Sequence, residues 1–231
     1  MMLVATVIAF CRFPTPGQAK TRLAAGTDNQ TAARLYKTCA EQIFLQVDRT
    51  PNFALQVACS RASELSLVTE WLSSIGLSVP CVPQITDEDL GERMLDALGQ
   101  ATQGLGRKAI LIGTDIPDIS QAILERASEL LDTYQVVLGP AADGGYYLVG
   151  VSDHHPGLFQ GVTWSASTTL EETVQNAAQL GLSISHEQLP VLQDIDTVED
   201  LTAWHAEAAE QHSTDSQFFK EADTALRALA A

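Results

Sequence analysis

Apolar residues along this chain come in short runs, separated by longer stretches with helical spacing, and the alternation repeats from end to end. Leu3 to Phe10 is nearly all apolar, as in a strand buried on both faces. Asn29 to Asp48 then carries Leu35, Cys39, Ile43 and Val47 at helical spacing, which predicts a long amphipathic helix. The pattern predicts a strand over Phe53 to Cys59, a helix over Ser63 to Ser74 and a strand over Leu77 to Val82. A polar stretch, Gln84 to Arg93, runs into a helix from about Met94 to Gln103. Ala109 to Ile112 reads as a buried strand and Ser120 to Asp132 as the helix that follows. Gln135 to Pro140 and Tyr146 to Val151 are strands flanking a tight turn, the second free to return antiparallel. Thr169 to Leu180 predicts a helix and Leu182 to Leu189 a last strand. Thr197 with Asp200 is a capping-box start for the next helix, and Phe218 to Leu229 predicts a short terminal one. Such alternation makes a three-layer α/β/α sandwich with a mostly parallel central sheet. We expect one domain over residues 1–211 and a C-terminal helical tail over 212–231.

Composition narrows the class. No apolar run approaches the ~18 residues that a membrane span requires. Met1 to Phe10 lacks a basic flank and a small-residue cleavage site, so it reads as a first strand and not a signal peptide. Cys11, Cys39, Cys59 and Cys81 are widely spaced, which suits a reducing cytoplasm and argues against zinc or a disulfide framework. A net charge of −16 argues against nucleic acid and anionic membrane as partners. The distribution of charge says more than its sum. Arg12, Lys20, Arg22, Arg34 and Lys37 crowd the first forty residues, whereas no Lys or Arg lies between Arg126 and Lys220.

Polar segments fall where strands end, and in open α/β sheets ligands bind outside the carboxyl ends of the strands. Arg12 to Arg22, with Pro14, Pro16 and Gly17, is a stiff loop carrying cations, an anion-binding arrangement. It has neither the P-loop spacing nor the dinucleotide fingerprint. Gly113-Thr114-Asp115 follows a strand, so Asp115 stands where a carboxylate holds a metal beside a phosphate; it equally suits the cap of the next helix. Asp143-Gly144-Gly145 reads equally as a plain hairpin turn and as a site loop. Trp164 by itself reads as core, and His154-His155 as a surface turn. Asp194 and Asp196 sit just outside the capping box.

Taken in order, six segments resemble a known family: Pro-x-Pro-Gly-x-x-Lys-Thr-Arg-Leu, Leu-Gly-Glu-Arg-Met, Ile-Gly-Thr-Asp-Ile-Pro, Gly-Pro-Ala-x-Asp-Gly-Gly-Tyr-Tyr-Leu-Val-Gly, Val-Thr-Trp-Ser and Asp-Ile-Asp-Thr-Val-Glu-Asp-Leu. They look like the bacterial rSAM/selenodomain-associated transferase 1 family, of the nucleotide-diphospho-sugar transferase superfamily with the glycosyltransferase-A fold. The match runs from about Leu3 to Trp204. The first and last motifs also look like those of 2-phospho-lactate guanylyltransferase and molybdenum cofactor guanylyltransferase. The resemblance implies that the loop holds nucleotide phosphates through Arg12, Lys20 and Arg22, that Gly17 and Thr114 also belong to the nucleotide site, and that Gln84, Gly91 and Arg93 lie near the base or ribose. It implies Asp115 and Asp196 as ligands of Mg²⁺ or Mn²⁺, and Gly144, Gly145, Tyr146, Trp164 and Ser165 on the acceptor side. The segment from Trp164 to Ser167 carries one residue more than the family's Trp-Ser-Thr.

The chemistry expected is metal-dependent transfer of a sugar from a nucleotide sugar to a small neutral acceptor, with Asp143 as base. A nucleotidyltransferase joining a nucleoside triphosphate to a phosphorylated small molecule would use the same cationic loop and Asp115. A nucleotide-binding protein without chemistry is the third reading. The sequence leaves room for a homo-oligomer.

Overall fold

In the computed structural model, residues 4–85, 89–103, 108–211 and 214–229 are described. Seven strands form one sheet: β1 (Ala5–Cys11), β2 (Phe53–Cys59), β3 (Cys81–Pro83), β4 (Lys108–Ile112), β5 (Val136–Pro140), β6 (Tyr146–Val151) and β7 (Ile184–Ser185). Their spatial order is β3-β2-β1-β4-β6-β5-β7. Every pairing is parallel except those of β6, which runs antiparallel to β4 and β5. The helices are α1 (Thr21–Gly26), α2 (Asn29–Arg49), α3 (Leu65–Ser74), α4 (Leu90–Ala101), α5 (Gln121–Leu130), α6 (Thr169–Gln179), α7 (Val198–Glu210) and α8 (Gln217–Leu229). This is the expected α/β sandwich, with the glycosyltransferase-A type of sheet.

Side-chain alternation along the strands divides the core in two. Ala5, Val7 and Ala9 of β1 point into a cluster shared with α2, α3, α5, α7 and α8, while Ile8 joins Met94 and Leu98 of α4 and Ala177 of α6 on the other face. The C-terminal helix adds Phe218, Ala222 and Ala225 to the first cluster, with the Phe218 ring 4.8 Å from that of Trp204. Among the described residues no helix is long and apolar enough to cross a membrane.

Three elements depart from the sequence pattern. Helix α4 starts at Leu90 and not Met94, because the Asp89 side chain accepts from the Glu92 amide at 2.9 Å and caps it there. The Leu90 to Arg93 segment is therefore its first turn and not a loop, and Thr86 to Glu88 lie outside the described residues. The third strand is cut to Cys81–Pro83, and Leu77 is buried in the first core cluster outside it. The last strand shrinks to Ile184–Ser185, an edge segment bonded only to β5. These losses fall at the two margins of the sheet. The centre keeps its long strands, and the chain reverses its winding direction there, between β1 and β4. That is the switch point at which open α/β sheets bind ligands.

Candidate active site

The β1–α1 loop places its cations over this crevice. Lys20, just before α1, adopts a left-handed conformation (φ 49°, ψ 52°), uncommon for a residue with a side chain. Its side chain reaches under the loop and is only 10 % exposed. The ammonium donates to Asp115 Oδ2 at 2.9 Å and to Asp196 Oδ1 at 2.5 Å. Arg22 pairs with the other oxygen of Asp196.

The two carboxylates come from distant segments that the backbone ties together. Asp115 follows β4, and its carbonyl accepts from the Ile195 amide at 3.2 Å. Asp196 precedes α7, where its amide donates to Asp200 Oδ2 at 3.1 Å, beside the Thr197–Asp200 capping box. Gly113 makes room for Asp115, since a Cβ there would stand 2.9 Å from its Oδ1. The next helix is capped by Ser120, so Asp115 is not its cap.

Charge is tightly organised at this point. Burial works against the Lys20 ammonium, yet Asp115 and Asp196 outweigh it and raise its pKa. Burial likewise opposes the Asp196 carboxylate, but Lys20 and Arg22 hold its pKa below the usual carboxylate value. Asp194 is pushed up to about 6 by burial and by the charges of Asp196 and Asp115; Lys20 opposes this, and Asp143 adds a smaller upward push. Among the described residues no three His, Cys, Asp or Glu side chains form a metal cage. Asp115 and Asp196 nevertheless converge on one cation and offer it hard oxygens, the donor type that Mg²⁺ and Mn²⁺ take.

A cavity of about 460 Å³ opens over these groups and is walled by Arg12, Lys20, Arg22, Gln84, Arg93, Thr114, Asp115 and Asp196. Gly17 and Gly91 do not line it. Gly17 shapes the loop at φ +79°, and Gly91 is packed beneath Phe159 and Trp164. The Thr114 hydroxyl is engaged inward: it donates to the Phe10 carbonyl at 3.0 Å and so accepts from the Tyr36 hydroxyl, which in turn accepts from the Arg12 amide. Gln84 is buried, donating to the Ala58 carbonyl at 2.9 Å and accepting from Arg93 at 3.1 Å.

A second cavity, of about 270 Å³, adjoins the first and shares Phe10, Leu90, Gly113 and Asp115 with it. Asp143, Gly145, Tyr146, Trp164 and Ser165 line it, together with Asp194 and an apolar wall that includes Met94 and Leu148. No Lys or Arg does so among the described residues. Asp143 Oδ1 accepts from the Gly145 amide at 2.8 Å, so the carboxylate both shapes its turn and faces the cavity. Gly144 stays out of the lining. It holds φ +87°, and a Cβ there would come within 2.3 Å of the Ser167 carbonyl oxygen.

Sequence reasoning missed Asp194, Tyr36 and Ser60 as site residues. The Asp-x-Asp spacing could have flagged Asp194. Ser60 directly follows β2 and could have been placed at the same rim. Tyr36 sits on an ordinary helix face and carried no signal.

The fold has relatives among solved structures. A proposed nucleotide-diphospho-sugar transferase of Desulfovibrio desulfuricans G20 is 28% identical, with a TM-score of 0.88 and 99% of both chains covered. A nucleotidyl transferase of Methanothermobacter thermautotrophicus shares the fold at 16% identity and TM-score 0.59, covering 90% of this chain and 98% of the other. A mannosyltransferase of Pyrobaculum calidifontis, solved with GDP-mannose and Mn²⁺, does so at 15% identity and TM-score 0.52, over 100% and 76%. No curated protein matches the chain in sequence. One sequence family does, through a profile that spans residues 43–166 and so more than half of the chain: the chain belongs to the family described as an uncharacterized protein conserved in bacteria (DUF2064).

Proposed function

We propose that the protein is a metal-dependent glycosyltransferase that moves a sugar from a nucleotide-diphospho-sugar to a small neutral acceptor. One observation carries this reading: two cavities meet at Asp115, one walled by cations and the other, among the described residues, by carboxylates and aromatic rings without a cation. A nucleoside diphosphate matches the first, with Lys20, Arg22 and Arg12 around its phosphates. An uncharged hydroxyl compound matches the second, where Trp164 and Tyr146 offer flat apolar faces and Asp143 stands ready to take the hydroxyl proton. Asp115 and Asp196 would hold Mg²⁺ or Mn²⁺, which when bound neutralises the leaving diphosphate. Lys20 serves beside them as fixed countercharge, and its low exposure keeps that charge from being screened.

Nucleotidyl transfer would use the same cationic cavity, but an acceptor phosphate would have to sit among Asp115, Asp143 and Asp194. The charge of the second cavity opposes that. The six ordered motifs support placing the chain with the rSAM/selenodomain-associated transferase 1 enzymes, and four free cysteines accord with a reducing, cytoplasmic setting. To test the reading, nucleotide sugars and nucleoside triphosphates are offered in parallel with Mn²⁺ and a panel of sugars and alcohols. Nucleoside diphosphate release that depends on metal and acceptor, and is lost in Asp115→Asn, is the expected result. Pyrophosphate release from a triphosphate would overturn it.

A further inference from the structure

Beyond the first cavity, over the end of β2, lies a polar hollow of about 200 Å³ that shares Arg12, Gln18, Ser60 and Arg93 with it and adds Phe13, Arg61 and Glu64. Three guanidinium groups face this space from three segments: Arg12 just past β1, Arg61 just past β2, and Arg93 in the first turn of α4. Each is held by part of its guanidinium, Arg93 also through Nε, which donates to the Asp89 carbonyl at 3.3 Å. Arg12 Nη1 donates to the Gln18 carbonyl at 3.3 Å, Arg61 Nη1 to Gln18 Oε1 at 2.5 Å, and Arg93 Nη1 to Gln84 Oε1 at 3.1 Å. Their Nη2 groups have no partner among the described residues. Among the described residues the one carboxylate lining the hollow is engaged: Glu64 takes the Phe13 amide on Oε2 at 3.2 Å and Arg61 on Oε1 at 3.3 Å. The hollow therefore presents a surplus of hydrogen-bond donors.

Resting on the nucleotide reading above, we propose that this hollow receives the base of the donor nucleotide and selects guanine or uracil over adenine. The phosphate end of the ligand belongs with Lys20 and Arg22 at Asp115 and Asp196. The sheet order puts β2 and β3 on the side of β1 away from β4, so a nucleotide anchored there turns its nucleoside towards the arginines. Guanidinium forks bind carbonyl and ring-nitrogen acceptors side by side, as they read guanine in nucleic acids, and they stack on flat rings. Guanine and uracil present carbonyl oxygens, with the Ser60 hydroxyl left to accept from the ring N–H beside one. Adenine instead points an amino group, another donor, at donors. Cytosine, with one of each, falls between.

The test measures binding of GDP, UDP, CDP and ADP by calorimetry in Mn²⁺, on the native protein and on Arg61→Ala. Arg61 is exposed and lies outside the reaction centre; Arg93→Ala is the second variant should the first disturb the Phe13–Glu64 contact. GDP or UDP is expected to bind at least about tenfold tighter than ADP, the scale of one good bidentate contact. Arg61→Ala should pull that ratio towards one while leaving ADP nearly unchanged. ADP binding as tightly as both GDP and UDP overturns the inference and leaves the nucleotide reading standing. An equal loss for all four ligands in Arg61→Ala also overturns it, by making the hollow a phosphate site. Failure of all four to bind the native protein defeats the nucleotide reading itself.

Discussion

At Asp194, burial and three neighbouring carboxylates all push towards the protonated acid, to a pKa of about 6 from an ordinary 3.8. A native pKa above the unfolded one means that the group favours folding most fully below pH ~4 and that this contribution is lost as pH rises through about 6. Asp194→Asn removes the titration. In metal-free buffer the variant should melt with the native protein near pH 4 and above it at pH 7.5. The gain should be about 1–2 kcal/mol once solvent screening of a half-exposed group is discounted. Matched melting at both pH values would mean the carboxylates are not in contact electrostatically. Asp143 carries the catalytic prediction. Asp143→Asn keeps the hydrogen bond to the Gly145 amide that shapes the turn and removes the basicity, so kcat should fall by about 10²-fold or more with donor KM nearly unchanged. An unchanged kcat in steady-state assays would leave Asp143 only its part in the turn. Lys20, Asp115 and Asp196 were legible in the sequence because each sits in a short polar stretch after a strand or before a cap. That Lys20 would bridge both carboxylates was not, since the contacts span 95 and 176 residues.

The elements most legible in the sequence were those whose apolar run is bounded by turn residues at both ends: β2 and β6 have the expected limits, Phe53–Cys59 and Tyr146–Val151. Where a boundary depends on a cap, periodicity fails. Helix α4 begins four residues early because Asp89 satisfies an amide that hydropathy does not register. The turn between β5 and β6 depends on a backbone conformation instead. Gly144 combines φ +87° with a Cβ position 2.3 Å from the Ser167 carbonyl oxygen, whereas Gly161 has φ +72° with nothing within 4 Å. Gly161→Ala should therefore cost only the strain of a left-handed alanine, about 1 kcal/mol. Gly144→Ala should cost clearly more, because backbone must move. The corresponding falls in Tm are about 2–4 °C per kcal/mol for a chain of this size. Equal falls in the two variants, read by thermal unfolding, would mean the Ser167 segment yields freely and does not hold the turn.

At the scale of the whole molecule, the sequence showed a mostly parallel sheet but not which strands are neighbours. Strand order follows from how helices cover the two faces, and only the folded contacts state it. It is the order β1-β4, two strands far apart in sequence, that brings the cationic loop to Asp115. The C-terminal segment poses the remaining question at this scale, whether residues 212–231 are a tail or part of the domain. Phe218 is 1% exposed and packs on Trp204, and the Phe219 ring stacks on His205 at 4.3 Å. A small crevice beneath the site is lined by Phe218 with Leu23, Tyr36, Lys20 and Asp115. The Trp204 indole in turn donates to Asp118 at 2.9 Å, three residues beyond Asp115. Ending the chain after Gln211 should therefore uncover apolar surface and loosen the floor under Lys20. Losing one buried Phe costs about 1.5–3 kcal/mol, and the smaller contacts of Ala222 and Ala225 add to it. That is a large share of an ordinary stability of about 5–15 kcal/mol. The shortened chain should unfold at a lower urea midpoint and bind nucleoside diphosphate with Mn²⁺ more weakly. A midpoint and an affinity both equal to those of the full chain would make the segment an appendage. A lower midpoint with unchanged affinity would mean α8 supports the fold without reaching the site through Lys20.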